Sequence, residues 1–131
     1  MENRDTIISE FCEGTKKVLQ KDLYGIVIYG NPIGSDFDIC VVYHQNKNPD
    51  VVELKKLKER VEDKYGIELD ILLFPPDVFS EALSRMVSNL NLSILAELDV
   101  KYGGPEFHSL ITESAKNPID KWPLKVDEYK L

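Results

Sequence analysis

No apolar run in this 131-residue sequence approaches the roughly 20 residues that a bilayer-spanning helix needs, and its first residues are polar and charged. Membrane insertion and secretion are therefore not expected. Cysteine is scarce: Cys12 and Cys40 are the whole complement, each in an apolar neighbourhood and at no zinc-ligand spacing. A disulfide framework and a structural zinc site are excluded, and the expectation is two reduced, buried thiols in a cytoplasmic protein. Positive charge is also in short supply. Sixteen Lys and Arg stand against 23 Asp and Glu, for a net charge of −7. Without a basic surplus to hold a phosphate backbone, this balance argues against extended DNA or RNA as a partner. It leaves room for a small nucleotide neutralised by metal. Internal repeats and low-complexity segments are absent.

What is present is enough apolar material, 43% of the residues, for one core. Ile7, Ile8, Phe11, Cys12, Val18 and Leu19 recur at helical spacing and predict a helix over residues 6–19, with Asp5 as its N-cap. A short β-branched run, 24–29, enters a turn-rich loop at 30–35, and residues 36–43 open with alternation and end as a continuous apolar strand. Asn48 and Pro49 then announce a second helix that carries Val51, Leu54, Leu57, Val61 and Tyr65 as far as Gly66. A strand at 67–74 is stopped by Pro75 and Pro76, since proline cannot donate to a sheet ladder. Asp77 is expected to cap a third helix lined by Val78, Phe79, Ala82, Leu83, Met86, Val87 and Leu90. A short helical piece at 93–98, an edge strand at 100–102 and a last helix at 106–115 complete the order. These elements describe an α/β (α+β) domain over residues 1–117, a mixed sheet of about four strands with helices packed against it. Residues 118–131, punctuated by Pro118, Trp122 and Pro123, form an irregular tail that wraps the domain or docks on a partner.

Chemistry gathers at three acids. Asp36 and Asp38 lie two apart on a predicted strand, so their carboxylates share a face. Asp70 lies on a later apolar strand. If the two strands are neighbours, the three form a cluster of hard oxygen ligands suited to Mg²⁺ or Mn²⁺. Like charges packed together repel, and a cation is what makes such a cluster sensible. An Asp-x-Asp pair alone is also what solvated strand ends carry. Its context here is more telling: the pair follows a strand and a loop with two glycines, opens an apolar strand, and is answered by Asp70.

The run Ile28-Tyr29-Gly30-Asn31, then Gly34-Ser35-Asp36-Phe37-Asp38-Ile39-Cys40-Val41-Val42, then Leu69-Asp70-Ile71, resembles the signature of the polymerase-β-like nucleotidyltransferases. The likeness spans roughly residues 11–102 in order and spacing, and is nearest to the minimal members that lack a separate substrate domain. It implies that Asp36 and Asp38 hold two metal ions and that Asp70 binds one of them and helps to activate an attacking hydroxyl. Gly30, Asn31 and Ser35 would form the turn against the triphosphate, where close backbone approach needs glycine. It further implies transfer of a nucleoside monophosphate from an NTP, ATP in the first instance, to a hydroxyl of a protein or small molecule. A helical partner subunit, in the manner of toxin–antitoxin pairs, or a second copy of the chain would accompany it. Two departures stand out. Asn31 occupies a place usually held by Ser or Gly, and the loop from Gly30 to Asp36 is short and holds no Lys or Arg. Binding of a nucleotide is thus better supported than its transfer, and the competing reading is a catalytically degenerate module that binds nucleotide, metal or a partner protein.

Other candidates are weaker. Lys55, Lys56, Lys58 and Arg60 read as the solvated face of the second helix. His44 and His108 read as surface residues, Glu68 as an edge charge or an extra ligand, and Phe37 as a core residue facing away from the acids.

Overall fold

In a computed structural model, residues 4–29, 37–44, 49–90, 99–116 and 129–131 are described. Four strands and four α-helices occur among them. Helix α1 spans Arg4–Leu19 and a 3₁₀ turn, Gln20–Asp22, leads into β1, Leu23–Tyr29. Then follow β2 (Phe37–Tyr43), α2 (Pro49–Tyr65), β3 (Leu69–Phe74), α3 (Pro76–Leu90), β4 (Asp99–Gly103) and α4 (Pro105–Lys116). The expected short helical piece at 93–98 lies outside the described residues.

The sheet is mixed, in the order β3-β2-β1-β4. β1 pairs antiparallel with both β2 and β4, and β2 pairs parallel with β3 through the crossover helix α2. Both faces are covered. Phe37, Ile39 and Val41 of β2, with Leu69, Ile71 and Leu73 of β3, pack beneath α1 and α2. Cys40 and Val42, with Leu72 and Phe74, pack beneath Phe79, Ala82 and Leu83 of α3 and Phe107 of α4. Burial on two sides is why β2 reads as an unbroken apolar run rather than an alternating one.

Several boundaries shift for identifiable reasons. α1 starts at Arg4, which places Asp5 in its first turn rather than at its cap. α3 likewise starts at Pro76, and the Phe79 amide donates to the Pro75 carbonyl at 2.9 Å. Asp77 therefore sits inside the first turn, where its charge complements the helix dipole instead of capping it. β3 begins two residues later than expected. Gly66 closes α2 in the left-handed conformation (φ 64°), and the amides of Gly66 and Ile67 both donate to the Glu62 carbonyl, so Ile67 belongs to the helix end.

α4 docks through Phe107, which is 1% exposed and lies over two glycines paired across β1 and β4, Gly25 and Gly103. A Cβ on Gly25 would meet the Phe107 ring at 2.6 Å, and one on Gly103 would meet it at 2.5 Å. The same ring stacks on Phe79 (5.6 Å) and takes the edge of Tyr24 (5.7 Å).

Cys12 and Cys40 are both buried free thiols. Burial pushes the Cys12 thiol from its ordinary 9.0 up to about 11, against the lowering pull of Lys16. Native protein at pH 8 is therefore expected to protect Cys12 from iodoacetamide, with labelling appearing only on denaturation. Peptide mass spectrometry reads the difference, and rapid native labelling would contradict it. No helix of the described residues is long and apolar enough to cross a membrane.

Candidate active site

β2 and β3 run side by side in the same direction, and their register sets Asp38 opposite Asp70. Neighbouring strands lie about 4.8 Å apart, so the two carboxylates begin from adjacent backbones. Both belong to the even-numbered set of their strands, which on Cys40, Val42, Leu72 and Phe74 faces α3 and α4. They sit before that apolar set begins, at the strand starts, where Asp38 is half-buried and Asp70 exposed. The position reconciles the two demands on them: the strands carry their weight in the core while the acids reach solvent beyond its end. Phe37, between the acid positions of the sequence motif, turns into the opposite layer at 6% exposure, with the Arg4 guanidinium 4.7 Å from its ring centre.

A pocket of about 230 Å³ opens here, lined by Asp38, Asp70, Lys58, Leu72, Lys130 and Leu131. A shallower hollow on the α2 side shares Lys58 and Asp70 and adds Glu62 and Glu68. Lys58 is the one member of the basic run on α2 that reaches this region; Lys55, Lys56 and Arg60 are exposed. Its ammonium is held by both oxygens of Glu62, at 3.1 Å each. Glu62 Oε2 also accepts the Leu69 amide at 2.8 Å, in place of a ladder partner at the start of β3. Glu62 thus fixes the strand one residue ahead of Asp70. Glu62→Ala is expected to lose about 1.5 kcal/mol in urea unfolding, the scale of a hydrogen bond to a charged group, and an unchanged midpoint would remove this role.

The described end of the tail also arrives here. Lys130 bridges Leu72 in antiparallel fashion, the Leu131 amide donates to the Ile71 carbonyl at 2.9 Å, and Tyr129 lies 5.1 Å from Phe74, ring centre to ring centre. Sequence reasoning missed Lys130, because a bridge made some sixty positions away leaves no periodic signal. Gly30, Asn31, Ser35 and Asp36 lie outside the described residues. Among those described, no three His, Cys, Asp or Glu side chains gather as a metal cluster. The pair that does meet, Asp38 and Asp70, offers only carboxylate oxygens, the donor type that suits Mg²⁺ or Mn²⁺.

Other candidates fall away from this end. His44 follows β2 at the opposite end of the sheet, exposed, its amide bonded to the Asp22 carbonyl and its ring set edgewise to Tyr24. His108 is exposed on α4. Glu68 is exposed and lies before β3 begins, so no strand geometry places it on Asp70's face.

No protein-family model matches the chain, and no curated protein matches it in sequence. Its structure does have counterparts. It matches a chain of the tri-AMPylated Shewanella oneidensis HEPN toxin in complex with MNT antitoxin with a TM-score of 0.58 at 12% identity, over 87% of this chain and 85% of that one. A toxin–antitoxin structure with AMP-PNP matches with a TM-score of 0.52 at 13% identity, over 87% and 86%. The spectinomycin adenyltransferase of Enterococcus faecialis, with ATP and spectinomycin, matches with a TM-score of 0.57 at 12% identity, over 83% of this chain and 60% of that one. The mixed four-stranded sheet flanked by helices is thus a nucleotidyltransferase-like fold of the minimal kind.

Proposed function

We propose that this chain transfers a nucleoside monophosphate from an NTP, with ATP as the first candidate, to a hydroxyl of a protein or a small molecule. The observation that carries the reading is the register that sets Asp38 beside Asp70 at the mouth of a pocket, on the fold shared with the structures above. Asp36, Asp38 and Asp70 would hold Mg²⁺ or Mn²⁺. Bound there, the metal would supply charge stabilisation at the α-phosphate and its leaving group.

The chain's own groups have separable roles in this reading. Asp70, on the outer strand and exposed, accepts the proton of the acceptor hydroxyl as its oxygen attacks the α-phosphorus. The bond from that phosphorus to the bridging oxygen of the leaving pyrophosphate breaks as the new bond forms. Asp38, one strand inward and half-buried, serves as a ligand. From the sequence motif, Gly30, Asn31 and Ser35 would be the residues to meet the triphosphate. ATP as donor is supported by the AMP-PNP and ATP named for two of the similar structures, and a protein as acceptor and partner by the tri-AMPylated HEPN toxin named for the third. A second copy of the chain is the alternative partner.

The short loop without Lys or Arg favours a second reading, a degenerate module that binds nucleotide without transferring it. One experiment separates them. The protein is incubated with Mg²⁺, candidate protein and small-molecule acceptors, and ATP labelled at either the α- or the γ-phosphorus. Nucleotidyl transfer leaves the α-label on an acceptor and releases the γ-label. If neither label moves but Mg²⁺ and ATP together raise the melting temperature, the binding module is the better account.

A further inference from the structure

The sequence poses a deficit: the loop from Gly30 to Asp36 carries no cation, while a nucleoside triphosphate brings several negative charges to a site already built of carboxylates. The fold brings two lysines to that site by different routes. Lys58 comes from α2, with its charge shared with Glu62. Lys130 comes from far along the chain, and its backbone is fixed on β3 by the bridge to Leu72 and by the neighbouring Leu131 to Ile71 hydrogen bond. The ring of Tyr129 on Phe74 anchors the same segment from the α3 and α4 side of the sheet. Lys130 and Leu131 therefore form a wall of the pocket that Asp38 and Asp70 line.

We propose that Lys130 is a phosphate-binding residue of this site, its ammonium supplying to the nucleotide the cationic contact that the 30–36 loop does not contain. The inference rests on the nucleotide reading above and adds to it a residue outside the motif. Its physical logic is that the backbone of Lys130 is fixed by main-chain pairing to β3, while the residue lines a pocket whose other lining includes the carboxylates of Asp38 and Asp70, so a point charge stands where phosphate must enter. A compact ammonium meets phosphate oxygens without needing the planar fork of arginine. The backbone bridge to Leu72, the Leu131 amide and the Tyr129 ring all anchor the segment, so a change of side chain at 130 leaves those three contacts in place.

The test compares wild type, Lys130→Gln, Lys130→Arg and, as a control on the exposed face of α2, Lys56→Gln. The affinity for ATP with Mg²⁺ is measured by calorimetry at low and at high salt, and melting temperatures are read with and without the nucleotide. Lys130→Gln is expected to weaken binding about tenfold at low salt, the scale of one charge-assisted hydrogen bond. The deficit should shrink as salt screens the charge. Lys130→Arg should keep most of the affinity, Lys56→Gln all of it, and none of the three should shift the melting temperature without nucleotide. Equal binding by wild type and Lys130→Gln overturns the role of Lys130 and leaves the nucleotide reading standing. A weakened variant whose deficit is the same at both salts, or whose unliganded protein melts early, marks a structural role and likewise overturns it. If wild type binds no NTP at all, the nucleotide reading falls and this proposal with it.

Discussion

Asp38→Asn is expected to reduce nucleotidyl transfer about a thousandfold or more, since each 1.4 kcal/mol is a factor of ten and a metal ligand at the reacting phosphate supplies several. The measurement is the rate at which α-label from ATP reaches the acceptor, with Asp70→Asn run alongside. The two should differ in kind. Asp70 is proposed as the proton acceptor as well as a ligand, so raising the pH should recover part of the Asp70→Asn rate by ionising the acceptor hydroxyl in solution. Asp38→Asn should show no such recovery. Both variants should fold, because neither residue lies in the buried apolar set that holds the sheet to its helices. Transfer at the wild-type rate by Asp38→Asn would end the proposed chemistry, whatever the fold.

The second large effect is on stability and lies elsewhere. Phe107→Ala is expected to lose about 3–5 kcal/mol, against a total of roughly 5–15 kcal/mol for a domain of this kind. The ring is almost fully buried, touches Tyr24 and Phe79, and fills the hollow above Gly25 and Gly103 that exists because neither has a Cβ. Gly25→Ala should also destabilise, although alanine is ordinarily the better strand residue, because its methyl group would stand 2.6 Å from ring carbons that Tyr24 and Phe79 hold in place. The pair gives the decisive check. Combining Gly25→Ala with Phe107→Leu should cost less than the sum of the two, since the smaller side chain vacates the space the methyl needs. Strict additivity in denaturant titrations would mean that ring and glycine do not share that hollow. Val42, the β2 partner of Gly25, lies four positions from Asp38, about 13 Å along the strand, so these variants should retain nucleotide affinity wherever they remain folded.

The parts of this molecule that were readable in the sequence are those governed by local pattern. The stripe of Leu54, Leu57 and Val61 ended by Gly66, and the apolar run from Ile39 to Val42, each specify an element without reference to the rest of the chain. The sequence left the meeting of Asp38 and Asp70 conditional on their strands being neighbours, a pairing that the strand patterns by themselves do not specify. Less readable were the points where one residue answers two demands. Ile67 looks like a strand residue, yet its amide closes α2, and Asp77 looks like a cap but falls within a helix that a proline starts earlier. Least readable was anything made by a distant pairing. Neither the Phe107 contact with Gly25 and Gly103 nor the arrival of Lys130 beside Leu72 has a periodicity to betray it.

The parallel pairing of β2 with β3 has one more consequence. A slip of a single residue along that pair would turn one strand over, driving its isoleucines and leucines toward the wrong layer and its aspartate into the apolar space beneath α1 and α2. The cost of misplacing that many buried side chains falls on the fold as a whole, not on the acids. The aim of the two carboxylates is therefore guarded by residues that never touch a substrate, and conservative changes in the size of Ile39, Val41, Ile71 or Leu73 would be felt first as a loss of alignment between Asp38 and Asp70.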